Sequence, residues 1–182
     1  MFPRHFQHLA DVARTAPASG QVPVYNATTG LWEPMTIRRD IIQAADETRA
    51  SNTFADANTL QLSGLVAGVS MDFEMRLVFL GAATCGIKMM LIDNDSVLDT
   101  GSVVEMLIGT GTTHRSASGD IASSNVALSH STQLSGTAWL SGRLRPLASG
   151  QAYFQWAQVT TNAGNPMSML AGSRLVMRRT IA

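Results

Sequence analysis

Along residues 71–79, MDFEMRLVF, apolar and polar side chains alternate. Met71, Phe73, Met75, Leu77 and Phe79 fall on one side, and Asp72, Glu74, Arg76 and Val78 on the other. A period of two predicts a half-buried β-strand, because successive side chains leave a strand on opposite faces. The alternation returns in QAYFQWAQV, 151–159, where Ala152, Phe154 and Trp156 oppose Tyr153, Gln155 and Ala157. GIKMMLI (86–92), SVVEMLI (102–108), TAWLSGRLR (137–145) and SRLVMRRTI (173–181) predict four further strands. Gly, Ser, Thr and Asn cluster between these runs, the punctuation of tight turns. Strands of this number and spacing predict an all-β chain folded as a jelly-roll-like β-sandwich.

The front of the chain reads differently. Val22 and Val24 alternate, NATTG makes a turn, and LWEPMTI returns, so a β-hairpin is expected there. Two stretches predict short helices. RHFQHLADVAR, 4–14, is one; DIIQAADETRA, 40–50, is the other, with Asp40 placed to cap and Gln43 three residues on. DETRASNTFADANT, 46–59, is polar and reads as a link, and THRSASGDIASSN, 113–125, reads as a long exposed loop. The expected division is an N-terminal arm over 1–45, a polar linker over 46–58 and a sandwich over 59–182.

Composition narrows the function. Only 14% of residues are charged against 45% apolar, which predicts that other chains cover part of the surface. The formal net charge is zero, so no long-range field draws the protein to nucleic acid or an anionic membrane. Cys85 is the single cysteine, which excludes an internal disulfide and predicts a buried, inert thiol. The most apolar stretch, 77–92, is broken by Lys88 and glycines and is too short to span a bilayer. The first residues lack an apolar run of signal-peptide length, so synthesis in a cytoplasm is expected.

One motif suggests catalysis. Asp99-Thr100-Gly101 lies between apolar residues, as the catalytic loop of an aspartic protease does. That chemistry needs two carboxylates sharing one proton, so a single loop would serve only in a homodimer. The apolar pair and glycine that should follow a flap come too soon, at Leu107-Ile108-Gly109, and Ser141 occupies the apolar position of the later candidate. A turn is the simpler reading. Asp93, Asp95 and Asp99 lack the spacing of a calcium loop. His5, His8, His114 and His130 are scattered, GTGTT at 109–113 has no phosphate-reaching Lys, and no Gly-x-Ser-x-Gly elbow occurs. No catalytic group, metal or cofactor is expected. Trp139 and Tyr153 leave a carbohydrate-binding module as an alternative, and Asp99 leaves a retroviral-type protease as another.

Two stretches resemble known families. LADVARTAPASGQVPVYNATTGLWEPMTI, 9–37, resembles a segment that recurs in tailed-bacteriophage virion proteins, in tail fibres and in head fibres or decorations. Its pattern is Leu-x-Asp-Val, Pro-x-x-Gly-Gln-Val and Val-Tyr-Asn-x-x-Thr-Gly-x-Trp-x-Pro. Residues 142–179, with Gly142, Gly150, Gln155 to Gln158 and Ala171-Gly172-Ser173, resemble the end of a β-sandwich domain of phage structural proteins. The segment from Ser51 to Phe79 is similar to the front of that domain, and residues 93–135 match nothing recognisable. The resemblance implies a non-enzymatic virion protein: a homotrimeric capsid decoration or cement protein, bound to the major capsid protein at the capsid surface and made in the bacterial host cytoplasm. A short tail or head fibre for host attachment is the alternative. Leu9, Val12, Val22, Val24 and Trp32 are the expected trimer or capsid contacts.

Overall fold

The computed structural model describes residues 18, 21–26, 29–36, 38–81, 85–110, 113–130 and 135–180. They fall into two compact units that divide between Arg39 and Asp40. The first holds β1 (Gln21–Asn26) and β2 (Leu31–Thr36), an antiparallel hairpin whose turn ends on Gly30 at a φ of 69°. A positive φ is strained for a residue with a Cβ, which is why glycine stands there.

The second unit is built of strands joined by turns, with no helix among its described residues. β3 (Arg38–Ile42) opens at the boundary, followed by β4 (Glu47–Arg49), β5 (Ala55–Asp56), β6 (Leu62–Leu65), β7 (Met71–Leu80) and β8 (Ile87–Ile92). β9 (Val103–Thr110), β10 (Thr113–Asp120), β11 (Val126–His130), β12 (Ser135–Leu144), β13 (Gly150–Gln158), β14 (Met167–Met169) and β15 (Arg174–Arg179) complete it. The larger sheet runs β10-β9-β12-β7-β14-β4, with β15 pairing both β7 and β3. Ten-residue β7 is its spine, pairing β12 along its whole length and sharing its other edge between β15 and β14. The smaller sheet runs β11-β8-β13-β5, with β6 on β13.

The inward side chains of the two sheets make one core, giving the expected β-sandwich. Phe73, Met75, Leu77 and Phe79 of β7 meet Met89 and Leu91 of β8 and Phe154 and Trp156 of β13 in a single buried cluster. Each such side chain taken from water is worth about 1.5–3 kcal/mol. The alternation legible in β7 and β13 is therefore the core itself.

Three expectations change. Residues 40–50 form no helix: Gln43 is buried, exchanges backbone hydrogen bonds with Ser173 and Gly172, and donates its amide to the Met169 carbonyl. Asp46 accepts from the Ala171 N–H. Long-range pairing thus takes the groups that a local cap would have used. The stretch 46–58 carries β4 and β5 along with buried Glu47 and Ala57. Residues 113–120, read as loop, form edge strand β10, whose outward exposure leaves no alternation to read. The helix expected at 4–14 lies outside the described residues.

Candidate functional site

The outer face of the larger sheet presents the polar halves of the alternating strands. Trp139 projects from the middle of β12 and stays 40% exposed. Its register neighbours are Leu107 on β9, also exposed, and Arg76 on β7. The Arg76 guanidinium lies over the indole ring, 5.2 Å from its centre, a cation–π contact that fixes the ring's pose.

Two residues along the strands lies a parallel row of smaller or acidic side chains. Register places Ser118 beside Glu105, Glu105 beside Ser141, Ser141 beside Glu74, and Glu74 beside Val176. This row crosses five strands, about 19 Å at a strand spacing near 4.8 Å. Small Ser141 between larger neighbours makes the row a floor. Two open hollows, of about 580 and 350 Å³, lie along the row on either side of Ser141; both are bounded by Trp139, and Arg178 lines the smaller. Among the described residues the side chains of Glu74, Glu105, Ser118 and Ser141 hold no hydrogen bond. Beneath them, Gly142 has no room for a Cβ, which would meet the Val103 carbonyl and lie 2.9 Å from the Phe73 ring.

The far wall is an ion pair. Arg143 donates to both oxygens of Asp72, at 2.8 and 3.3 Å, and the Thr180 hydroxyl adds a bond at 3.1 Å. The Arg143 hydrogen bond first, then Thr180 and the neighbouring positive charges, hold the Asp72 carboxyl below the usual aspartate range against the opposing effect of burial.

The motif that suggested catalysis is elsewhere, and it is a turn. Gly101 takes a φ of 85° and its N–H donates to Asp120 at 2.6 Å. Asp99 is paired with Arg145 at 3.5 Å, and its N–H donates to the Arg145 carbonyl. Ser102 donates to the Asp99 carbonyl and accepts from the Arg145 N–H. Asp93 accepts from the N–H groups of Val97 and Leu98, and Asp95 from the Tyr153 hydroxyl. Every carboxylate in this loop is thus occupied by the chain itself. Among the described residues no three potential ligands are grouped to hold a metal ion. Tyr153 stands on the smaller sheet, so it and Trp139 form no joint platform.

Of the expected contact residues, Leu9 and Val12 lie outside the described residues. Val22 and Val24 are half-buried on one face of the hairpin. Trp32 is on the other, opposite Tyr25, with ring centroids 5.6 Å apart; the two rings are 40% and 53% exposed. Pro23 pairs with Pro34 in register. Neither has an N–H, so this is a non-hydrogen-bonded pair, and so is Tyr25 with Trp32 two residues on, which brings their side chains close.

Sequence reasoning missed one constellation. Glu47, nearly buried, accepts from the Trp156 indole N–H at 2.9 Å, from Arg49 at 2.5 Å and from the Asn58 N–H at 2.9 Å. Arg49 lies over the Trp156 ring, 5.1 Å from its centre, and also donates to the Asp56 carbonyl. β4 is thereby clasped to the opposite sheet. Only a lone Glu-x-Arg marked it in the sequence.

No protein-family model and no curated protein matches the chain. Among solved structures it is similar to one described as PRD1 vertex protein P5, at 11% identity and a TM-score of 0.25, over 92% of this chain and 86% of that one. A structure of the infectious bursal disease virus Gx strain matches at 13% identity and a TM-score of 0.19, over 86% of this chain and 43% of that one. Likenesses this slight carry no argument about fold or function.

Proposed function

We propose that the chain is a non-enzymatic structural protein of a tailed-phage virion, a homotrimer that decorates the capsid surface and binds the major capsid protein. The observation that carries this reading is the β1–β2 hairpin. It is a two-stranded ribbon with an aromatic pair left in water on one face and Val22 and Val24 half-buried on the other. Such a ribbon is marginal by itself. Covering Tyr25 and Trp32 offers about 1.5–3 kcal/mol for each ring fully buried, which wrapping three copies about an axis or docking on a capsid would supply. The resemblance of residues 9–37 to phage virion segments and the low charge content point the same way.

Light scattering on a sizing column tests the assembly, and co-sedimentation with undecorated capsids tests the partner. A trimer that co-sediments supports the proposal, and Tyr25→Ala with Trp32→Ala should then shift the mass toward monomer. A trimer that ignores capsids but binds host cells moves the reading to a short tail or head fibre. A monomer that binds neither sinks both. Protease activity would have to free Asp99 from Arg145, and a peptide-cleavage assay of Asp99→Asn against the parent checks it.

A further inference from the structure

The geometry points to the groove beneath Trp139 as a binding site for a short, uncharged oligosaccharide, a role beyond assembly. A sugar ring offers a C–H face and a rim of hydroxyls, and it needs an aromatic surface beside unengaged donors and acceptors. The groove supplies both. Trp139 is exposed on a mid-sheet strand and steadied by Arg76. Glu74 and Glu105 accept from sugar hydroxyls, Ser118 and Ser141 donate or accept, and none of the four is held by another described residue. Polar groups placed at strand spacing along an open groove suit a linear chain of sugars better than a single compact ligand.

Other occupants fit less well. An extended peptide adds to a sheet by pairing along a free edge, whereas this groove runs across the strands and only its end reaches edge strand β10. An anionic ligand meets Glu74 and Glu105 on the floor against Arg178 at the rim of the smaller hollow, a balance that stays negative. A second copy packed on this face would bury Glu74 and Glu105 of both copies against Arg178, since Arg76 lies over Trp139 and Arg143 is paired with Asp72, which leaves more carboxylates than guanidinium groups to meet them.

The test is a neutral-glycan array probed with the full-length protein, followed by saturation-transfer titration of the best array ligand alongside maltotriose, cellotriose and chitotriose. Saturable binding is expected, weakened about tenfold or more by Trp139→Ala. Ser141→Arg, which leaves the indole in place and fills the floor, should abolish it. Tyr153→Ala, on the other sheet, should leave it unchanged. Absence of neutral-glycan binding, binding confined to anionic glycans, or binding that survives both groove variants overturns the inference. So does a fall in solution mass with Trp139→Ala, which would make this face a contact between copies. The assembly reading fails separately, on mass and capsid binding with the groove intact.

Discussion

The loop from Asp93 to Ser102 and the groove beneath Trp139 both gather carboxylates, and they treat them oppositely. In the loop each carboxylate is consumed by the chain: Asp93 by two backbone N–H groups, Asp95 by Tyr153, Asp99 by Arg145. In the groove Glu74 and Glu105 stand in water with no described partner. The first arrangement spends charge on shape, and the second leaves it available to a ligand. A familiar motif marks the region with nothing to spare, while the region with capacity carries no motif at all.

Substitutions at carboxylates should break or sharpen that contrast. Glu47 is the extreme case of a consumed charge, and Glu47→Ala strands Arg49 and the Trp156 N–H inside the protein. Breaking such a buried pair costs about 3–5 kcal/mol, read as a lowered denaturant midpoint. A loss below about 1 kcal/mol would show that water reaches the clasp. Asp93→Ala removes two charge-assisted bonds from the loop and should cost about 2–3 kcal/mol in the same titration.

Asp72 lies between the extremes, paired but largely solvated. Its folded pKa is depressed, so its contribution is fully present above the unfolded value, about 3.9, and is lost as pH falls through the lower folded value. Asp72→Asn should lower stability at neutral pH by that contribution and flatten the fall below about pH 4 by the same amount. A parallel acid limb in the variant would show that Asp72 is not one of the groups responsible. At the small end, Glu74→Gln and Glu105→Gln should move stability by no more than about 0.5 kcal/mol. A larger loss from either would mean that the groove, too, spends its charge on the fold.

The sandwich was legible where one face of a strand is buried and the other wet. In β7 and β13 that difference is written into every second residue, and the hairpin announced itself through its turn and paired apolar positions. Edge strand β10 was not, since neither its serines nor its glycine separates an inside from an outside. Residues 40–50 misled because Asp40 and Gln43 have the spacing of a helix cap, yet the partners they meet come from β14, the last strand and the turn between them. Trp139 could be singled out as an aromatic residue of interest. Its floor could not, because Ser118, Glu105, Ser141 and Glu74 come from four strands and become neighbours only through register.

The opposed prolines of the hairpin bear on how freshly made chains meet one another. A ribbon has two open edges, and a copy newly released from the ribosome could zip onto another and go on without limit. Pro23 and Pro34 each withhold a donor from an edge, at the same level of the ribbon. Two copies of the ribbon are thereby hindered from pairing edge to edge at that level, while its faces stay clear of the restriction.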